Sequence, residues 1–309
     1  MDVISDILRL LNLRSSVYFH SSFCGSWALD GKNAYQATFH LIARGNCWLH
    51  LIDKNINIAL TGGDLIVFPR DIAHTISDSE WPPDKVDNPP RPAGADEIPS
   101  ISLICGYFDF ESPQMNPLLE AMPDVIHIKN EDPARTSAMN SLLNFITIET
   151  EAAAPGSEAM VDKLTEILFI HVVRAFMAQS DVDHGIIAAL ADKSLSKVLA
   201  AVHKEPGARW SVDKLAEQAG MSRSAFAKYF QNKTDMTPMQ YVTHWRMQVA
   251  YEALRNSNIS VAEIAERSGY QTEASFRKVF KATTGDSPGV VRKGGVHKKN
   301  YLCSMRSQH

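Results

Sequence analysis

Two stretches decide the fold: Trp210–Phe230, WSVDKLAEQAGMSRSAFAKYF, and Ile259–Phe280, ISVAEIAERSGYQTEASFRKVF. Val212, Leu215, Ala216, Ala219 and Gly220 return 49 positions later as Val261, Ile264, Ala265, Ser268 and Gly269. One extra residue then enters the turn. From there the offset is 50, so that Ser222, Phe226, Lys228, Phe230 and Thr237-Pro238 return as Thr272, Phe276, Lys278, Phe280 and Ser287-Pro288. A self-match at a fixed period marks a duplicated structural unit.

Each copy reads as a short helix with apolar residues at i, i+3, i+4 and i+7, followed by a glycine where the chain turns sharply. Ser222 or Thr272 caps a second helix, and its paired phenylalanines face inward one turn apart. The opposite face carries Arg223, Ser224 and Lys228 in the first copy, and Glu273, Arg277 and Lys278 in the second. A short helix, a glycine turn and a basic-faced helix make a helix-turn-helix, whose second helix enters the DNA major groove. Between the copies, Pro238–Arg255 predicts an uninterrupted helix of roughly 27 Å at 1.5 Å per residue. With turns at both ends, the two reading helices would stand about one DNA turn apart, near 34 Å.

Arginine suits guanine because its fork matches O6 and N7 together. Ser224 can reach a base edge or phosphate. Glu273 can accept from a cytosine N4 or favour the positive end of its own helix. Trp210 and Trp245 read as core anchors.

The order of motifs across Ser194–Arg292, including Arg246-Met247 and Ala250 in the linking helix and the Gly269-Tyr270 turn, resembles the DNA-binding region of the AraC/XylS regulators. The resemblance implies seven helices and DNA-dependent activation or repression of transcription, with RNA polymerase as a possible further partner. Val291 departs from the pattern, since the family often has an aromatic residue there.

Charge supports the same reading. Residues 1–190 carry 12 Lys+Arg against 25 Asp+Glu, whereas residues 191–309 carry 19 against 10. A basic half implies a polyanionic partner. No run reaches the roughly 18 apolar residues that a membrane span needs, and Met1–Leu11 lacks the order of a secretory signal. A cytoplasmic protein is expected. Cys24, Cys47, Cys105 and Cys303 form no CxxC pair and read as buried, reduced thiols.

The first half has a different period. Ala34–Ala43, Asn46–Asp53, Asn55–Leu60, Asp64–Phe68, Ile72–Ser77 and Ser100–Phe110 read as short strands of an antiparallel barrel. Between two of them, Ser79–Pro99 holds six prolines and reads as a mobile insertion. After Pro133 the period becomes helical, with one stripe of Met139, Leu142, Leu143 and Ile146 and a second of Met160, Leu164, Ile167, Leu168 and His171. The 157–178 helix is apolar enough to need a partner, either its own barrel or a second chain in a homodimer.

The run GDLIVFPRDIAH, from Gly63 to His74, resembles the second cupin motif, and Tyr18–His127 resembles the cupin-type domain of some AraC/XylS proteins. The usual first-motif metal ligands are replaced by Asn33, Ala34 and Thr38. His40, His74 and Cys105, with His50, remain candidates for another nitrogen and sulfur site. Trp27, Phe39, His40, Trp48, His74 and Tyr107 are candidates to line an effector pocket. No catalytic constellation stands out, so no enzyme activity, metal or other cofactor is expected.

The expected class is α+β: a cupin-like effector and dimerisation domain over 1–180, a tandem helix-turn-helix domain over 191–292 and a basic tail over 293–309. The expected function is sequence-specific regulation of transcription on double-stranded DNA, answering to a small-molecule effector. The alternatives are a metal-binding cupin enzyme or metal sensor with subsidiary DNA binding, and an interaction scaffold using the 157–178 helix.

Overall fold

The structure, a computed structural model, describes residues 3–10, 13–31, 37–70, 72–83, 100–110, 117–132, 135–179 and 185–294. Asn33 and Ala34, residues 84–99 of the expected 79–99 insertion, and the basic tail from 295 lie outside them. The chain divides into two compact units: Leu13–Glu111 with Met122–Ser180, and Met1–Asn12 with Ser112–Ala121 and Asp181–His309.

Among the described residues the first unit has nine strands: β1 (Arg14–Phe23), β2 (Ala28–Gly31), β3 (Ala37–Arg44), β4 (Asn46–Leu51), β5 (Ile56–Thr61), β6 (Leu65–Phe68), β7 (His74–Ser77), β8 (Ile101–Asp109) and β9 (Ile126–Ile128). They form two antiparallel sheets, in the orders β1-β8-β3-β6-β9 and β2-β7-β4-β5. The expected barrel is therefore, among the described residues, a pair of hydrogen-bonded sheets.

The space between the sheets is filled by Phe23, Ile42, Phe68 and Leu103 from one, and Leu49 and Ile76 from the other. The larger sheet is apolar on its second face too, which is why β3, β6 and β8 read as near-continuous apolar runs. There Phe39 packs at 5.0 Å on Phe108, which lies 5.1 Å from Phe169. Phe169 belongs to the longer of two packed helices in this unit, 137–152 and 157–179.

The second unit is helical. In chain order the helices are α1 (Val3–Leu10) and α2 (Pro117–Glu120); α3 (Ser137–Ala152) and α4 (Ser157–Gln179) are the pair in the sheet unit. The others are α5 (Gly185–Ala191), α6 (Leu195–Lys204), α7 (Val212–Ala219), α8 (Arg223–Thr234), α9 (Pro238–Asn256), α10 (Val261–Arg267), α11 (Glu273–Thr284) and α12 (Pro288–Arg292). Val3 and Ile7, one turn apart on α1, are both buried, and α1 packs on α6 and α9. Short segments from the first 121 residues thus belong with the last 129.

Val291 is buried in the second repeat's core with Phe276, Phe280, Tyr251 and Leu254. A small aliphatic side chain therefore fills the place where the family often has an aromatic one. Beside it the Arg292 guanidinium donates to the Ile259 carbonyl at 2.5 Å, fixing α12.

Candidate nucleic-acid interface

Polar caps set where each helix of the repeat begins. The Ser211, Ser222, Thr237, Ser260 and Thr272 side chains accept from backbone amides of the first turns of α7 to α11. Thr237 and Gln240 complete a reciprocal capping box, and Pro238 supplies the preset φ of the first turn of α9. Gly220 ends α7 at φ +68°, and Gly269 follows α10 at φ +80°, both in the left-handed region.

On α8 the inward face carries Phe226 and Phe230, with ring centroids 5.7 Å apart, and Phe230 meets Tyr241 of α9 at 5.9 Å. Phe276 and Phe280 repeat the arrangement on α11, 5.5 Å apart. Burying these pairs turns the other face outward. Arg223, Ser224, Lys228, Arg277 and Lys278 are exposed, and Glu273 is half-buried. Trp245 is buried as a core anchor, while Trp210 is half-buried and donates its indole N–H to the Glu205 carbonyl at 2.9 Å.

Two of the arginines carry a carboxylate partner. Arg223 bonds Asp213 of α7 at 3.1 Å, and Arg277 bonds Glu273 of its own helix. The first pair joins positions ten apart and was not legible from the reading face alone.

Within the helical unit the two repeats are also tied to each other. Arg246, in the linking helix, donates from Nε to the Pro206 carbonyl and from Nη2 to the Ala208 carbonyl, both at 2.7 Å. Its guanidinium lies 6.0 Å over the Tyr270 ring, just past the second glycine turn. Beneath it the backbones touch. A methyl on Gly269 would fall 2.6 Å from the Gly207 carbonyl oxygen, and one on Gly207 would fall 2.1 Å from that of Arg267. Burial of Arg246 pulls its pKa below the usual guanidinium value, yet its two carbonyl partners suit a cation.

Known proteins match both halves. The family described as Cupin matches residues 2–178, and that described as Helix-turn-helix domain matches 215–294. An HTH-type transcriptional regulator of Haemophilus influenzae is 31% identical, over 95% of this chain and 99% of its own. An AraC-like transcription regulator of Streptomyces lividans is 30% identical, over 95% of this chain and 98% of its own. The chain belongs to the AraC-like transcription regulators. Among solved structures, the DNA-binding domain of AdpA in complex with a target DNA is similar at 30% identity and a TM-score of 0.32. That match covers 33% of the regulator and 93% of the domain.

In the regulator's sheet unit the six residues expected to line an effector pocket do not share one cavity. Trp27, His40 and His74 face the inter-sheet core, whereas Phe39 lies on the far face of the larger sheet, where Gly106 leaves room for its ring. Trp48 is half-buried on the face of β4 opposite Cys47, Leu49 and Leu51. Tyr107 is half-buried and stacks on Tyr18 at 6.4 Å. Strand alternation assigned faces but not which face is covered.

His40, His74 and Cys105 are neighbours, arranged as a chain. His74 Nδ1–H donates to the Ile72 carbonyl at 2.7 Å, which leaves its Nε2 to accept from His40 Nε2–H at 2.7 Å. His40 Nδ1 then accepts from the Cys105 thiol at 2.9 Å. Burial and the neighbouring His74 hold His40 well below the usual imidazole range, and burial pushes the Cys105 thiol well up, so both of these groups are neutral. The thiol and His74 lie on opposite sides of the His40 ring and do not converge on one point. Among the described residues no group of three or more His, Cys, Asp or Glu is arranged to hold a metal. His50 is satisfied separately by Asn57 and Ser77.

No described helix is long and apolar enough to cross a membrane.

Proposed function

We propose that this regulator binds double-stranded DNA with α8 and α11 in successive major-groove windows. In this reading Arg223, Ser224 and Lys228 face one window, and Glu273, Arg277 and Lys278 the other. The observation that carries it is the pair of capped, outward-facing helices whose supports are joined through Arg246. The sheet unit responds to a small molecule, and the protein acts in the cytoplasm on transcription by RNA polymerase, without enzymatic turnover.

Two copies pair along α4, where Met160 and Ile167 stand 45% and 46% exposed one face away from the buried Val161, Leu168 and Val172. Apolar side chains left in water on one stripe favour a protein partner.

Selection of sites from random DNA by the full chain tests the DNA reading. An asymmetric motif with two windows about 10 base pairs apart, and affinity falling steeply with salt, supports it. Salt-independent binding without sequence preference overturns it.

A further inference from the structure

We infer that Asp213, which lies outside the reading helix, is a specificity-determining residue of the first window: it orients Arg223 toward a guanine. The inference rests on the reading of α8 as a recognition helix and adds the base that its first residue selects.

Arg223 opens α8, and Asp213 lies in the first turn of α7, on the other side of the glycine turn. Arg223 donates from Nη1 to Asp213 Oδ2 at 3.1 Å, and among the described residues no other hydrogen bond or ion pair engages this guanidinium. Both side chains are largely exposed, so the pair adds little to folding stability. Its effect is on direction. A long arginine side chain loses rotamer freedom when it is held, and that cost is met before DNA arrives.

A guanidinium carries five N–H donors in one rigid plane. The bond to Asp213 uses Nη1 and leaves untouched the opposite edge, which carries Nε and Nη2. Two parallel donors on one edge match O6 and N7 of guanine, whereas adenine offers one acceptor beside a donor in the major groove. Residues at the N-terminal end of a reading helix are the ones that meet base edges, and Arg223 is the first residue of α8.

The second repeat holds its arginine in another way. The duplication covers the apolar frame and the caps, but Asp213 corresponds to Ala262 and Arg223 to Glu273. There the carboxylate stands on the reading helix itself and engages Nε and Nη2 of Arg277, one turn further on. The edge held in one window is thus the edge left open in the other.

The Asp213 charge also repels phosphates. On a matched site the guanine contact offsets that repulsion, and on unrelated DNA it stands unopposed. Orientation and repulsion therefore act together to separate matched from unmatched sequences.

Site selection from random DNA, followed by titration at several salt concentrations, tests this with the full-length parent, Arg223→Ala, Asp213→Asn and Asp213→Glu. The parent should select guanine at one position of the first window. Arg223→Ala should lose that preference and Asp213→Asn should weaken it by about fivefold or more, with the second window unchanged in both. Freed from its carboxylate, Arg223 can neutralise a phosphate. Asp213→Asn should therefore bind unrelated DNA about threefold or more tightly, with a log–log salt slope steeper by about one. Asp213→Glu keeps the charge on a longer arm, and should keep the salt slope of the parent and part of the preference.

An aspartate that only steadied the start of α7 would behave differently: Asp213→Asn would lower the thermal midpoint and leave motif and salt slope in place. That result, or a guanine preference that survives Arg223→Ala, would overturn the inference while leaving the two-window reading intact. A parent without any sequence preference would remove the reading of α8 itself, and the role of Asp213 with it.

Discussion

Arg277 is held one helical turn from where its helix begins: Glu273 Oε1 accepts from its Nε at 2.6 Å and from its Nη2 at 2.5 Å. Glu273 is the first residue of α11, where a negative charge also favours the helix N-terminus. The guanidinium is thereby aimed along the exposed face before DNA arrives. Arg277→Ala should cost about 1–3 kcal/mol on the preferred site and relax preference at one base pair. Glu273→Gln should keep that preference in weaker form while raising affinity for unrelated DNA, because a negative charge leaves the interface. Site selection with the three proteins checks both outcomes; identical motifs of equal stringency would show that Arg277 does not read sequence.

Acid should loosen the helical unit through His203. Its ring lies flat on Trp245 at 3.4 Å, its Nε2 meets the Tyr241 hydroxyl at 2.6 Å, and Asp6 stands 3.8 Å from Nδ1. Burial outweighs the nearby carboxylate and lowers the imidazole pKa to about 3. The unfolded chain therefore takes up a proton below about 6.5 that the folded chain refuses. Stability from this group is complete above that value and declines as pH falls, by up to about 1.4 kcal/mol per pH unit. Urea unfolding between pH 7 and 5 should show the decline, and His203→Phe should flatten it. Equal slopes in both proteins would assign the effect to other groups.

Gly31 makes room for His74. A methyl there would lie 2.2 Å from His74 Nε2, and the ring has little freedom to retreat, being stacked on Phe68 at 4.0 Å and bonded to Ile72. Gly31→Ala should destabilise the sheet unit by about 1–3 kcal/mol through overpacking. Shortening the clashing partner should recover part of that loss, so Gly31→Ala and His74→Ala should be non-additive in chemical denaturation. Strict additivity would place the strain elsewhere.

Removing the buried body of Ile7 tests whether α1 supports the helical unit. Ile7→Ala should cost about 2–4 kcal/mol, the range for a large side chain cut back in a packed core. Hydrogen exchange in α6 and α9 should rise with it, whereas a change confined to residues 3–10 would show α1 to be a loose appendage.

The helical repeat was legible because its signals are local: apolar spacing, caps and glycine turns lie within a few residues of the structure they specify. Its supports were not. Arg246 reaches carbonyls 38 and 40 positions away, and Asp213 meets Arg223 across a turn. The apolar stripe of VISDILRL finds its cover far along the chain, on α6 and α9. In the sheets, the six expected strands are present with shifted ends. Missed were β1, where RSSVYFHSSF sits at an edge and shows no clean alternation, and the short β2 and β9. Trp48 and Phe39 alternate correctly, but period alone does not say which face meets a neighbouring layer.

The Arg246 clasp and the touching backbones of Gly207 and Gly269 have a consequence for the genome this protein serves. Two reading heads on a slack tether could follow their half-sites as a promoter gained or lost a base pair. Heads bolted together act as a fixed gauge. One inserted base pair turns the far window about 35° around the duplex, out of reach of a head that does not swivel. Promoters under this regulator should therefore drift in the letters of each window while keeping the count of letters between them.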